Sequence, residues 1–237
     1  MKKLLLICSC FLSVLVVAQV TEKPYEFPVK PGTEQWMKLV SSKEMDDVCV
    51  IPDQVLSTLS TKALLITCLN YPRLIDVFSA DNMQAGFDFC STHFNGLKEL
   101  LNRSDLSKVL LNYYPEMDIQ YYIMKGDNGK PSFLQIAFFE LLIAQDKIIK
   151  KFDDSERYEL LSQAINNIEI RKSKNESLGR QVTTALILSR VLNVINITTF
   201  ENVGNKEIYN AFNSSGIVLD TSIINKILIA AKEIKKY

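Results

Sequence analysis

His93 is the only histidine in the 237 residues, and it follows Cys90 by three positions in Asp88-Phe89-Cys90-Ser91-Thr92-His93. On a helix that spacing puts both side chains on one face, where they could act as a nucleophile–base pair or as half of a metal site. The first role needs a thiolate beside an imidazolium, with a third polar group to orient the ring. Catalytic Cys and His usually face each other across a cleft from separate elements, whereas these two belong to one turn. The second role needs two more ligands for zinc, and the chain has no second histidine and no C-x-x-C pair. Cys49 and Cys68 are the remaining thiols that could complete it. The plainer expectation is a buried cysteine and a surface histidine, so no catalytic residue, metal or cofactor is assigned.

Other chemistry is equally sparse. Asp46-Asp47 and Asp153-Asp154 are adjacent carboxylates, but acid–base catalysis needs two carboxylates converging on a substrate in different environments. Adjacent acids at helix starts more often serve as cap and dipole residues. Nucleophile-elbow, phosphate-loop, dinucleotide and H-E-x-x-H motifs are all missing from the sequence. Gly126-Asp127-Asn128-Gly129 offers Asp127 and Asn128 to a cation, without the closing carboxylate of a calcium loop. The aromatic pairs Tyr113-Tyr114 and Tyr121-Tyr122 are the candidate binding surface, because amphipathic tyrosine rings suit a peptide or glycan platform. Cys49 and Cys68 flank a short helical hairpin and are the pair best placed for a disulfide. Three buried thiols acting as small apolar groups is the alternative.

Charge narrows the partner class. Lysine and arginine total 27, aspartate and glutamate also 27. Such a balance provides no electrostatic drive toward nucleic acid or an anionic membrane. Lys147, Lys150 and Lys151, with Lys232, Lys235 and Lys236, read as solvated helix faces and favourable helix C-termini.

The elements that must position these groups are helical. From Trp36 onward the apolar residues recur at helical spacing, while residues 19–35, with three prolines, read as an extended lead-in. Ser60 or Thr61 caps a helix that Tyr71-Pro72 stops. Asp81 with Gln84 suggests a capping box, and Asn95-Gly96 a helix end. Ser104-Asp105 opens a segment that Pro115 closes. Residues 132–151 are the most apolar stretch and form a central core element, too often interrupted by Gln135, Glu140 and Gln145 to span a membrane. Asp153 with Glu156 opens a further helix, and core helices follow over residues 182–195 and 222–236. The expectation is an all-α protein of eight to ten helices, packed as antiparallel hairpins in a bundle or an irregular HEAT-like array.

The first residues carry an address. Lys2 and Lys3 precede an apolar run from Leu4 to Val17, and Val16 and Ala18 are small residues suited to cleavage before Gln19. Residues 1–18 therefore read as a signal peptide, residues 19–35 as the lead-in and residues 36–237 as a single helical domain. Cys10, after Ser9, could instead be a lipidation site, but only six residues of Leu4–Ser9 would then precede the cut. The resulting expectation is a secreted, periplasmic or cell-surface protein with no transmembrane span after cleavage.

The chain resembles a group of uncharacterised exported bacterial helical proteins. The likeness rests on Pro31-Gly32-Thr33-Glu34, Trp36, Leu59-Ser60-Thr61, Thr67-Cys68-Leu69-Asn70-Tyr71-Pro72, Gly86-Phe87 and Phe94-Asn95-Gly96-Leu97-Lys98-Glu99-Leu100-Leu101. It implies export and a helical fold and brings no activity with it. The functional expectation is a binding or envelope-associated interaction module for an unknown protein or glycan. A hydrolase with an unfamiliar site and a carrier of a hydrophobic ligand are the alternatives.

Overall fold

The computed structural model describes residues 20–117, 131–195 and 205–234. The residues read as a signal peptide, together with the glycine loop at 126–129, lie outside them. Every regular element described is helical, in agreement with the all-α reading. The α-helices are α1 (Glu34–Met37), α2 (Ser42–Val48), α3 (Asp53–Leu56), α4 (Thr61–Leu69), α5 (Met83–His93), α6 (Asn95–Asn102) and α7 (Leu106–Tyr113). After residue 130 come α8 (Phe133–Ile143), α9 (Asp146–Ile149), α10 (Asp154–Ser173), α11 (Val182–Val194), α12 (Lys206–Ser215) and α13 (Ser222–Ile234). Short 3-10 turns cover Leu74–Phe78, Tyr114–Glu116 and Leu178–Gln181. Helices α1, α3 and α9 are single turns of four residues, which explains why periodicity alone suggested fewer elements.

Local chemistry sets most boundaries. The Ser60 side chain accepts from the Ala63 amide and starts α4, and the chain leaves the helix at Asn70 before Pro72. Asp153 and Glu156 form a reciprocal capping box on α10, and Ser132 with Gln135 forms another on α8. Two expected boundaries shift. Asn82, not Asp81, caps α5 through the Ala85 amide. Asn95-Gly96 opens α6 rather than ending α5, because the Asn95 amide is committed elsewhere: it accepts from Ile51 N and donates to Ile51 O.

Helix α8 joins the two halves of the fold, touching α4, α5 and α7 on one side and α11 on the other. Its residues Ile136–Ile143 are all buried, which is why apolar side chains surround the helix. Phe138 meets Phe87 at 6.1 Å and Phe139 stacks on Tyr114 at 5.5 Å. Each such fully buried ring or leucine contributes roughly 1.5–3 kcal/mol. Helix α11 is similarly enclosed by α8, α10 and α13. The lead-in is more firmly held than its composition suggests. Thr21 bridges Leu59, the Tyr25 amide donates to Thr67 Oγ1, and Phe27 enters the core beside Tyr71 and Phe94. Gly86 is obligatory in α5, since a Cβ there would lie 1.9 Å from the Val77 carbonyl oxygen.

Two charges sit inside this core and complete each other. Glu140, fully buried, receives Tyr114 Oη at 3.0 Å, Thr183 Oγ1 at 2.6 Å and Thr184 Oγ1 at 2.8 Å. Arg171, 2 % exposed, adds Nη1 at 3.3 Å and Nη2 at 3.4 Å, and also donates to the Arg180 carbonyl and to Thr184 Oγ1. The cluster ties α8, α10 and α11 together with both flanking 3-10 turns. Its acceptors are saturated and it is closed to solvent, so its role is structural.

Candidate functional site

The residues singled out from the sequence do not converge. Cys90 is buried and His93 exposed, although both lie on α5. The imidazole stacks on Phe89 at 3.9 Å, and its Nδ1 bonds locally with the Phe89 carbonyl and Thr92 Oγ1. No hydrogen bond joins His93 to Cys90. Burial, the largest influence, pushes the Cys90 thiol up to about 12, far from the thiolate a nucleophile needs. Cys49, Cys68 and Cys90 are all buried free thiols, so the expected Cys49–Cys68 disulfide is not formed in this structure. Among the described residues no cluster of His, Cys, Asp and Glu is arranged to hold a metal.

The tyrosine platform is also revised. Tyr114 is 1 % exposed, with its hydroxyl spent on Glu140, and burial pushes that hydroxyl far above its usual range. It is a core residue and offers no surface to a ligand. Tyr113 is half-buried against Phe139, with the Lys62 ammonium 5.2 Å from its ring centroid. Tyr121 and Tyr122 lie outside the described residues. The paired acids are occupied individually: Asp46 by Arg73, Asp47 by Lys43, Asp153 as a cap and Asp154 by Arg157.

The arrangement best suited to chemistry lies elsewhere. Gln84 from α5, Gln145 and Asp146 at the start of α9, Arg190 from α11, and Asn213 and Ser214 from the end of α12 line one cleft of about 330 Å³. Two local breaks in the chain create it. The apolar stretch over residues 132–151 stops being one helix at Ala144, leaving the Ala144 carbonyl outside the helical ladder. Helix α12 ends at Gly216, which adopts φ +77°, a conformation open to glycine at little cost. That end frees the Asn213 and Ser214 carbonyls. Arg190, 4 % exposed, points its fork at these ends. Nε donates to Asn213 O at 2.9 Å, Nη1 to Ala144 O at 3.2 Å, and Nη2 to Ser214 O at 3.0 Å and Gln84 Oε1 at 2.7 Å.

A guanidinium has five N–H donors, so one N–H of Nη1 is left without a protein acceptor among the described residues. Gln84 and Gln145 hold each other, Nε2 to Oε1 at 2.9 Å, and Gln84 Nε2 also reaches Asp88 Oδ1 at 2.8 Å. Ser189 Oγ fixes Asn213 Oδ1 at 2.8 Å. Desolvation lowers the affinity of Arg190 for its proton, while Asp146 and then Asp88 act the other way. Neither carboxylate forms an ion pair with it. Arg171 and Arg190 are therefore opposites: the first has a buried carboxylate partner, the second has only carbonyl and amide oxygens.

A second groove, of about 410 Å³, runs beside Lys30, Pro31, Tyr71, Pro72 and Leu134. Its amides Asn70 and Gln135 are bonded to one another at 2.9 Å, and it holds no buried charge. Sequence reasoning missed the Arg190 cleft. The signal available was a lone arginine inside the apolar run Thr184-Ala185-Leu186-Ile187-Leu188-Ser189-Arg190-Val191-Leu192, where a charge needs a dedicated polar environment. No protein-family model, curated protein or solved structure matches this chain.

Proposed function

We propose that this is an exported binding protein that seats a small polar ligand in the Arg190 cleft. The observation that carries the reading is a buried guanidinium without a carboxylate partner, lining a cleft and keeping one N–H unspent. Buried charges are ordinarily paired, and a ligand acceptor group on Nη1 supplies what Arg171 obtains from Glu140. The volume, near the lower end of the roughly 300–1,000 Å³ of ligand pockets, suits a metabolite rather than a protein face or a glycan chain. The amides of Gln84, Gln145 and Asn213 are held by their neighbours and provide orienting contacts without reorganisation. Export rests on the signal-like pattern of residues 1–18. Among the described residues no helix is long and apolar enough to cross a membrane.

The test is thermal unfolding of the full chain against a panel of small carboxylates, amines, amino acids and sugars. A ligand present at about 100 times its dissociation constant stabilises the native state by about 2.7 kcal/mol. Stabilisation by a panel member that disappears in Arg190→Lys, while the variant still unfolds in one cooperative transition, supports the reading. Lysine keeps the charge and loses the fork. A stabilising ligand unaffected by Arg190→Lys places binding elsewhere and overturns it. For export, the chain recovered outside the cytoplasm of its host should begin at Gln19, and a chain retaining Met1 inside the cell counts against it.

A further inference from the structure

We infer that the cleft is built for a zwitterion of the α-amino-acid class, with the ligand carboxylate on the free N–H of Arg190 and its ammonium on Asp146. The inference rests on the proposed use of the cleft as a ligand site and specifies what enters it. Asp146 lines the same cleft as Arg190, is exposed, and has no ion pair or side-chain hydrogen bond among the described residues. The two opposite charges are close enough for the carboxylate to act on the guanidinium, yet they do not pair. Two opposite charges that line one cleft without pairing suit a bridging molecule that carries both signs.

The field of the cleft points the same way. Arg190 is capped by the C-terminal carbonyls of α8 and α12, and each helix end bears roughly half a negative charge. Those ends together offset most of the guanidinium charge. Asp146 adds a full negative charge, and Asp88, held in place by Gln84, adds another nearby. A simple anion would meet Arg190 through a surrounding potential that repels it. A simple cation would be drawn to Asp146 and leave the N–H of Arg190 unanswered. A molecule with a carboxylate and an ammonium satisfies both groups at no net charge. The small volume and the ring of fixed amides favour a compact, polar side chain.

Isothermal titration of the full chain with the common L-amino acids, and with the deaminated and decarboxylated counterpart of the best binder, tests this. For L-alanine these counterparts are propionate and ethylamine. The expected result is binding of at least one amino acid, with the carboxylate alone weaker by about tenfold or more. Asp146→Asn, an exposed change that leaves every hydrogen bond of Arg190 intact, should weaken the amino acid by a similar factor and bind the carboxylate as well as or better than the wild type. Equal affinity for the amino acid and its deaminated form, unaffected by Asp146→Asn, overturns the zwitterion and leaves the Arg190 anion site standing. No heat from any compound up to about 10 mM, far above metabolite-range affinities, removes both the inference and the reading beneath it.

Discussion

Removing both partners of the Glu140–Arg171 pair should cost clearly less than the sum of removing each alone. In Glu140→Leu, Arg171 keeps only the Arg180 carbonyl and Thr184 Oγ1, so a 2 %-exposed guanidinium is left without a carboxylate. The hydroxyls of Tyr114, Thr183 and Thr184 lose their acceptor at the same time. Breaking a buried pair costs about 3–5 kcal/mol, and each orphaned buried hydroxyl adds about 1 kcal/mol or more. Glu140→Leu should therefore lose about 5 kcal/mol or more, a large part of a typical stability of about 5–15 kcal/mol. Arg171→Met is milder, about 3 kcal/mol, because three hydroxyls still stabilise the carboxylate. The double variant removes both charges and should recover about 2–3 kcal/mol relative to the sum of the singles. Equilibrium urea unfolding, with the slope m monitored for two-state behaviour, reads all four corners of the cycle. Single losses below about 1 kcal/mol, or a double variant that is simply additive, would refute a closed, mutually dependent network.

Gly86→Ala drives a Cβ to 1.9 Å from the Val77 carbonyl oxygen, and a backbone atom cannot swing aside. A loss of about 3 kcal/mol is expected in the same unfolding assay, at the upper end of overpacking costs. Gly179→Ala is the control: nothing lies within 4 Å of the added Cβ and its φ is ordinary, so it should be neutral or stabilising by up to about 1 kcal/mol. The thiols supply a pH dependence. Burial pushes Cys49 and Cys90 up to about 12 in the native state, from the value of 9.0 that a thiol has in the open chain. Between those values the native chain holds more protons than the unfolded one. Their contribution is therefore complete below about pH 9 and declines as pH rises toward 12, by about 1.4 kcal/mol per pH unit for each thiol. Alkylation at pH 8 should correspondingly follow unfolding; rapid labelling of Cys49 or Cys90 in the native protein would contradict their burial.

Much of the fold is readable in the sequence because its signals are local. Ser60, Asp153 with Glu156, and Pro72 act within one turn of themselves, and the helices they bound lie where the spacing places them. The apolar side of residues 222–234 repeats often enough to declare a buried stripe, and residues 182–192 are apolar enough to be enclosed all round. What escapes is chemistry that needs two distant segments. Asn95 looks like a helix terminator until Ile51, far back in the chain, occupies its amide. Tyr114 looks like half of an exposed pair until Glu140 claims its hydroxyl. In both cases the side chain's type is plain and its partner is not.

The Arg190 cleft extends that point from residues to helix ends. A pattern search reads faces, since faces repeat, whereas the groups that hold Arg190 are single carbonyls at the last turns of α8 and α12 and one glutamine of α5. None belongs to a binding motif: Gln84 reads as a capping-box residue, and it stands 106 positions from the arginine it contacts. Helix C-termini carry the negative potential that lets a cation remain inside, so they can hold a guanidinium charged without spending a carboxylate on it. Glu140 would have quenched such a charge, as it does for Arg171. Carbonyls hold the fork in place and leave one of its N–H donors available to something that enters from outside.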